Sequence, residues 1–241
     1  RLSELGVARA DTSPWALAFH DRGLSLSAPH GEVLHLDFVA AWKYHQRQRY
    51  SLRGEPLARA VFPAREKVSQ APHWTVLDAS CGTGADSLLL LSFGLRVEAY
   101  ERHPLLGVLL EEAWERAGQD DELGPILEER LKFKCADFLL IPSSEIHENA
   151  FYFDPMYDQE EGQAEQRKAH SRQEMRLLQQ LLGPDPGGGQ TLERARTLGF
   201  QRIAVKRALK APDLMPGKSG SIQGKSTRYD LYPKHIENNG T

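Results

Sequence analysis

A loop with two closely spaced glycines contains the first residues that could take part in chemistry. Residues 78–86 read Asp-Ala-Ser-Cys-Gly-Thr-Gly-Ala-Asp and follow a short apolar run at 74–77. Glycine allows a backbone to turn sharply and to approach a ligand closely, which Gly82 and Gly84 could do here. A dinucleotide-binding loop would carry a third glycine where this chain has Ser87, so the pattern argues against a pyrophosphate ligand and against NAD.

Acidic residues follow four strand candidates. The runs at 74–77, 95–100, 131–136 and 150–153 are followed at once by Asp78, Glu101, Asp137 and Asp154. Because ligands bind at the carboxyl ends of the strands in open α/β sheets, we expect these four carboxylates to line one crevice. Carboxylates at this edge suit a cationic nucleoside ligand, and Glu101 could accept hydrogen bonds from both hydroxyls of a ribose.

A second candidate for chemistry is the segment 151–157, which reads Phe-Tyr-Phe-Asp-Pro-Met-Tyr. Pro155 fixes its own φ and biases Asp154 toward extended backbone. A carboxylate and a backbone carbonyl held side by side in this way could accept both hydrogens of an amino group. Tyr157 could stack on a base. The segment alone is equally consistent with a strand end, a turn and a packed tyrosine.

The elements that must position these residues alternate between strand and helix patterns, which predicts βαβ units and a mostly parallel sheet. Pro104 opens a helix with apolar residues at helical spacing, and residues 165–182 show a second helical face. Later in the chain we expect strands at 202–205 and 228–232, a Gly/Pro turn at 184–189 and a flexible loop at 212–224.

The first part of the chain has a different pattern. Residues 1–40 contain alternating apolar runs, the last of which extends from Val33 to Phe38, and they predict antiparallel β structure. A short helix is predicted at 55–62. With 241 residues in all, we expect a small N-terminal β-rich subdomain over residues 1–63 and one α/β domain over residues 64–241.

The composition is that of an ordinary globular protein, with 40% hydrophobic and 26% charged residues. No apolar run approaches the roughly 18 residues that a membrane helix needs, and no signal-peptide pattern is visible, so we expect no membrane contact. The only cysteines, Cys81 and Cys135, cannot form a disulfide scaffold, which favours a reducing, cytoplasmic setting. The nine histidines show no metal-ligand spacing, so we expect no metal.

Basic residues are concentrated in two segments, although the formal net charge is −3. From residue 202 onward, eight basic residues are opposed by only three acidic ones. Such patches can contact a phosphate backbone, although solvated faces carry similar charge. The residues that we expect to contact nucleic acid are Lys43, Arg47, Arg49 and Arg53 near the N-terminus, and Lys206 and Arg207 after a late strand.

These segments together resemble a known family. The Asp-x-x-x-Gly-x-Gly loop at 78–84, with Glu101 after the next strand, resembles class I S-adenosylmethionine (SAM)-dependent methyltransferases. Residues 154–157, Asp-Pro-Met-Tyr, resemble the Asp/Asn-Pro-Pro-Tyr/Phe motif of amino-directed N-methyltransferases, with Met156 in place of the second proline. Over residues 33–232 the chain resembles the ribosomal RNA small subunit methyltransferase J family, through short segments that include 53–55, 174–176, 183–185, 205–207 and 228–232.

The resemblance implies a Rossmann-like class I methyltransferase sheet with helices on both faces. It implies SAM as cofactor and methylation of the exocyclic N2 amine of a guanine in 16S ribosomal RNA, free or in the small ribosomal subunit. Asp154, Pro155 and Tyr157 would be the catalytic residues. The cofactor would contact Asp78, Gly82, Gly84, Ala85, Asp86, Glu101, Arg102, Asp137, Phe138 and Asp154. Ala85 stands where the family has arginine, so only its backbone is expected to take part.

Two other functions remain open from the sequence. The chain could methylate an amine in DNA, in a protein or in a small molecule, or it could be a non-catalytic RNA-binding protein that keeps the fold. The retained Glu101 and Asp154-Pro155 argue against a non-catalytic protein. The basic C-terminal segment favours nucleic acid over a small molecule.

Overall fold

The computed structural model of the chain describes residues 14–48, 50–155, 169–183 and 187–235, with side chains described outside 169–175. Its smaller sheet is antiparallel and lies near the N-terminus, with the order β1 (Ala16–His20), β2 (Gly23–Ser27) and β3 (Val33–His35). Leu24, Leu26 and Leu34 of this sheet are buried. The β-rich segment that the alternating apolar residues predict is therefore present.

Two helices follow the small sheet. The third strand ends at His35, because Asp37 caps the helix α1 (Phe38–Arg47) and accepts a hydrogen bond from a backbone N–H three residues later, at 2.9 Å. The prediction of β structure through residue 40 is therefore wrong from Phe38 onward. The short helix predicted at 55–62 is present as α2 (Pro56–Val61).

The larger sheet has seven strands in the order β6-β5-β4-β7-β8-β10-β9. They are β4 (Thr75–Asp78), β5 (Arg96–Tyr100), β6 (Leu131–Lys134), β7 (Ala150–Phe153), β8 (Arg202–Ala208), β9 (Gly220–Gln223) and β10 (Thr227–Tyr232). Strands β4 to β8 pair in parallel, whereas β10 runs antiparallel to both β8 and β9. The chain builds outward from β4 to β6 and then returns to β7, so β4 and β7 form the switch point at which ligands bind in such sheets.

Helices cover both faces of this sheet. They include α3 (Ala85–Ser92), α4 (Pro104–Ala117), α5 (Leu123–Arg130), α6 (Ala169–Leu182) and α7 (Gly188–Thr197). Successive side chains of a strand point to opposite faces. Accordingly, Tyr152 of β7 packs in a hydrophobic cluster with α3 and α4, and Phe153 packs in a second cluster with Leu192 of α7. None of the helices in the described part of the chain is long and apolar enough to cross a membrane.

Several elements are missing from the sequence prediction, among them strand β9 and helix α7. Strand β9 lies in the segment 212–224, where a flexible loop was expected, and it contains one apolar residue, Ile222. Its pairing with β10 and the hydrogen bond from Ser221 Oγ to the Asp230 carboxylate (2.6 Å) keep it in the sheet. Helix α7 begins inside the predicted Gly/Pro turn, and it buries only a few small or apolar residues.

A continuous hydrophobic core joins the N-terminal part to the larger sheet. Leu34 of β3, Leu57 of α2 and Leu110 of α4 belong to one cluster of buried residues. Helix α1 packs on α3, and α2 packs on β8 and β10. The division of the chain at residue 63 stays a prediction.

Candidate functional site

A cavity of about 240 Å³ lies where the carboxyl ends of β4, β5 and β7 meet, at the switch point of the sheet. Leu178 and Leu182 of α6 form part of its apolar wall. The predicted cofactor-binding residues that line it are Gly82, Ala85, Asp86, Glu101, Arg102, Asp137, Phe138 and Asp154. The fold thus brings together carboxylates from four segments that are distant in the sequence.

Asp78 was expected to contact the cofactor, but it does not line this cavity. It is fully buried behind the glycine loop, where its carboxylate accepts hydrogen bonds from the Ser80 N–H (3.1 Å) and the Ser87 hydroxyl (2.6 Å). Burial raises the pKa of Asp78 to about 7, against the two hydrogen bonds, which lower it. Asp78 therefore shapes the loop from within the core.

The two glycines of the loop, Gly82 and Gly84, lie in different surroundings. Both have positive φ, at +59° for Gly82 and +76° for Gly84. Gly82 lines the cavity, and a Cβ there would meet nothing closer than 3.8 Å. Contrary to the prediction, Gly84 does not line the cavity. It lies against the rings of Phe38 and Trp114, and a Cβ at this position would be 2.8 and 2.9 Å from them. Gly84 is a packing position rather than a ligand contact.

Glu101 faces the glycine loop across the cavity. One carboxylate oxygen accepts the Gly82 N–H at 3.0 Å, and the other accepts the His103 N–H at 2.8 Å. Burial raises the pKa of Glu101, and these N–H donors oppose the shift. Each carboxylate oxygen has a further lone pair, so Glu101 can also accept hydrogen bonds from two ligand hydroxyls.

A short turn after β6 forms the next wall. The Asp137 carboxylate accepts the Leu139 N–H at 2.8 Å, and the Phe138 ring packs against Phe151 with 5.1 Å between the ring centroids. Arg194 of α7 lies over the Phe138 ring, at 5.1 Å from its centroid, and donates to the carbonyls of residues 139 and 141. Nothing in the sequence identifies Arg194 as a site residue, because its partners are more than 50 positions away.

Lys206 connects the two carboxylates nearest the end of β7. Its ammonium lies 2.7 Å from the Asp86 carboxylate and 2.8 Å from the Asp154 carboxylate, and it lines the cavity. Asp86 also accepts a hydrogen bond from the Tyr152 hydroxyl at 2.5 Å, and the Asp154 N–H donates to Ser80 Oγ at 2.7 Å. The structure thus places Lys206 in the wall of the site, where two carboxylates hold it, and its predicted contact with nucleic acid stays a prediction.

Opposite charges hold this network in its ionised state. Burial alone would lower the pKa of Lys206, but Asp154 and Asp86 raise it well above its ordinary value. Burial would raise the pKa of Asp86, but the Lys206 ammonium and the Tyr152 hydroxyl hold it below its usual range. Lys206 is therefore a permanent cation at physiological pH and cannot act as a base.

Two of the other basic residues predicted to bind nucleic acid are engaged within the protein. Arg53 donates to the carbonyls of residues 63 and 66 and lies over the Phe62 ring. Arg207 is buried and donates to the Pro212 carbonyl at 2.5 and 3.0 Å. Neither guanidinium is placed to bind phosphate. In the same C-terminal segment Arg228 is buried against Asp230.

The exposed members of the predicted basic set lie on α1. Arg47 is exposed, and Lys43 is exposed with its ammonium 3.7 Å from the Asp120 carboxylate. Arg49 and Tyr157 lie outside the described residues, as does Met156, so their predicted contacts stay predictions. Pro155 is buried beside the cavity residue Asp154.

The described residues give no sign of metal or thiol chemistry at the site. Among them, no group of three or more His, Cys, Asp or Glu side chains could hold a metal ion. Cys81 lines the cavity, but burial and then the nearby carboxylates of Asp78 and Glu101 raise its pKa well above the ordinary value. A thiol kept protonated in this way is a poor nucleophile.

The chain matches one family model and several known proteins. The model, described as "Putative SAM-dependent methyltransferase", matches residues 2–234. A ribosomal RNA small subunit methyltransferase J from Pseudomonas fluorescens Pf-5 is 36% identical, covering 95% of this chain and 87% of the relative. Proteins of the same name from Pseudomonas aeruginosa UCBPP-PA14 and Haemophilus influenzae PittGG are 34% and 33% identical, covering 95% of this chain and 86% and 88% of the relatives.

A solved structure shares the architecture. The crystal structure of a SAM-dependent methyltransferase from Neisseria gonorrhoeae superposes with a TM-score of 0.69 at 24% identity. The superposition covers 97% of this chain and 91% of that one. This likeness confirms the predicted fold class, including the α/β sheet with helices on both faces.

Proposed function

This chain belongs to the ribosomal RNA small subunit methyltransferase J family of SAM-dependent methyltransferases, and from that premise we propose that it methylates the N2 amine of a guanine in 16S ribosomal RNA. The observation that carries the proposal is the acceptor group at Asp154, which Lys206 and Ser80 fix on the wall of the cavity.

The residues around the cavity fit SAM. Glu101 has lone pairs for the ribose hydroxyls, and Gly82 lets the backbone approach them closely. Asp137 and Phe138 both line the cavity, and they would hold the adenine, the first as an acceptor and the second as an apolar wall. The lining carries four carboxylates against the two cations of Arg102 and Lys206, which favours a ligand with positive charge.

The chain's own task is to position a weak nucleophile. When bound, SAM supplies a methyl group on a cationic sulfur, which is a strong methyl donor. The lone pair of the guanine N2 is delocalised into the ring. Hydrogen bonds from its two N–H groups to the Asp154 carboxylate and a neighbouring backbone carbonyl would favour a pyramidal nitrogen. Holding that nitrogen in line with the methyl group supplies much of the rate enhancement.

Lys206 has a supporting part in this arrangement. Because its ammonium contacts both Asp86 and Asp154, it fixes the direction of the acceptor that the amine would meet. It cannot take the amine proton, since it is itself protonated at the pH of the reaction. The target base must leave its stack to reach Asp154, as it does in other enzymes that modify bases.

An RNA substrate is supported by the names of the curated relatives and by the exposed basic residues Lys43 and Arg47 on α1. We propose 16S ribosomal RNA, free or within the small ribosomal subunit, as the partner. We propose the cytoplasm as the setting, because Cys81 and Cys135 are both free thiols.

Calorimetric titration of SAM into the purified chain tests the cofactor assignment. We expect Glu101→Gln to weaken SAM affinity at least about tenfold, because a neutral amide is a poorer acceptor for two hydroxyls. Glu128→Gln, at an exposed position on α5, is the matched control and should bind like the parent. A folded parent that binds no SAM would contradict the proposal, and so would a Glu101→Gln variant with unchanged affinity.

A further inference from the structure

Two exposed tyrosines lie at the end of α1, and nothing in the reaction described above uses them. The side chains of Tyr44 and Tyr50 are 51% and 45% exposed. His45 lies between them, with its ring centroid 5.6 Å from that of Tyr44 and 6.4 Å from that of Tyr50. The Tyr44 hydroxyl is close enough to that of Tyr50 to raise the pKa of Tyr50. We call these three side chains the aromatic cluster.

The aromatic cluster lies beside the cavity. Helix α1 begins at Phe38, whose ring packs on Gly84 of the glycine loop, and the helix then runs along α3. Its last turn brings His45 close enough to Asp86, a residue of the cavity wall, for the two to interact electrostatically. His45, which lies next to both tyrosine rings, thus connects the cluster to one of the carboxylates that hold Lys206.

Two exposed cations lie on the same helix as Tyr44 and His45. Lys43 and Arg47 are exposed on the same helix, one position before Tyr44 and three positions after it. Residues three or four apart share one face of a helix, so Arg47 lies on the face of Tyr44. Exposed rings next to cations are the combination that binds single-stranded nucleic acid, because bases stack on the rings while the cations contact phosphates.

We propose that Tyr44 and Tyr50 form a stacking site for an unpaired base of the RNA strand that enters the cavity. The inference rests on the proposed function and names a part of the substrate site that the cofactor cavity does not include. A strand held at this site would present its neighbouring nucleotide to Asp154. Stacking on the tyrosines would also offset the loss of base stacking that accompanies extrusion of the target guanine.

The test compares a Tyr44→Ala/Tyr50→Ala variant with a Tyr44→Phe/Tyr50→Phe variant, which keeps the rings and loses the hydroxyls. Phe19→Ala is the matched control, because Phe19 is a 76% exposed ring on the N-terminal sheet. Methyl transfer from SAM to unmodified 16S ribosomal RNA, both as a transcript and in small subunits, gives KM and kcat. Calorimetry gives the SAM affinity of each variant.

We expect the alanine variant to raise the KM for RNA by about 5- to 150-fold, the range that loss of the stacking of one base produces. The phenylalanine variant and Phe19→Ala should keep the parent KM within about threefold, and SAM affinity should be unchanged in all of them. Tyr50 lies outside α1, so Tyr50→Ala alone cannot act by disrupting that helix. We expect this single variant to raise the KM for RNA as well.

Two results would overturn the stacking site while leaving the proposed function intact. One is that the parent is active and the Tyr44→Ala/Tyr50→Ala variant has the same KM for RNA as the parent. The other is a phenylalanine variant as impaired as the alanine variant, which would assign the effect to the hydroxyls. A parent that binds SAM and methylates no ribosomal RNA would instead contradict the proposed function, and the stacking site with it.

Discussion

Lys206 on β8 is the cation that neutralises the Asp86 and Asp154 carboxylates of the site. The sequence pattern identifies Glu101 and Asp154 as site residues because each directly follows a strand, and the carboxyl ends of strands share one edge. It does not identify Lys206 as a cavity residue. The acids that hold Lys206 come from α3 and from the end of β7, and only the assembled sheet brings them within 3 Å.

Replacing Lys206 tests its role in holding Asp154. We expect Lys206→Met to lower kcat at least about tenfold, equivalent to about 1.4 kcal/mol in the barrier, because Asp154 loses the cation that fixes its direction. The measurement is single-turnover methyl transfer at saturating SAM. Lys132→Met, at an exposed lysine of β6, is the control and should match the parent. An unchanged kcat in the folded Lys206→Met variant would show that Asp154 needs no such support.

Asp78 makes the stability of the fold depend on pH. Its folded-state pKa, about 7, is above the ordinary value of 3.8, so the folded chain holds this proton more tightly than the unfolded chain. The free energy of unfolding should therefore fall as pH rises from about 4 to about 7, by about 1.4 kcal/mol for each unit between the two pKa values. Below pH 4 both states are protonated, and the contribution is constant.

The comparison that isolates this effect is Asp78→Asn against the parent, by denaturant unfolding at pH 5 and at pH 8. The asparagine is neutral at both pH values and similar in shape, so the variant should gain stability relative to the parent on going from pH 5 to pH 8. Asp121→Asn, at an exposed position, should show no such gain. A difference between Asp78→Asn and the parent that does not change with pH would contradict this account of the buried carboxyl.

At the scale of elements, strong periodicity is what made prediction possible. The strands β4, β5, β7 and the helix α4 carry continuous or regularly spaced apolar residues, and the structure places them where the sequence predicts. Strand β9 and helix α7 carry few apolar residues, so their formation depends on partners elsewhere in the fold. The strand predicted over 33–38 is present only as far as His35, because a capping aspartate, Asp37, starts a helix within the pattern.

The glycine loop packs against α1 at Gly84, which lies against the ring of Phe38. We expect Gly84→Ala to destabilise the fold by about 2–4 kcal/mol, because the new Cβ meets the rings of Phe38 and Trp114 and the φ of +76° disfavours a side chain. Gly31→Ala is the control, since φ is +89° there but the space is open, so only about 1–2 kcal/mol should be lost. Denaturant unfolding measures both, and equal losses would contradict a packing role for Gly84.

At the scale of the whole molecule, the alternation of strands and helices and the acids at the strand ends were sufficient to predict the sheet and the location of the cavity. These patterns were insufficient to predict which basic residues are free to contact nucleic acid, because the sequence does not distinguish a basic residue that binds phosphate from one that donates to a backbone carbonyl. Arg53 and Arg207 illustrate this, since both donate to backbone carbonyls within the fold. The similarity to the curated relative from Pseudomonas fluorescens Pf-5 extends over 95% of this chain, so it is not limited to the segments around the cavity.

The most direct test of the central claim is to locate the methyl group. Unmodified 16S ribosomal RNA, free and in small subunits, is incubated with the chain and SAM, digested to nucleosides and analysed by mass spectrometry. We expect N2-methylguanosine at one site with the parent, and at least a hundredfold slower formation with Asp154→Ala, a loss of about 2.7 kcal/mol in transition-state stabilisation. Methylation of another atom, or equal rates for Asp154→Ala and the parent, would contradict it.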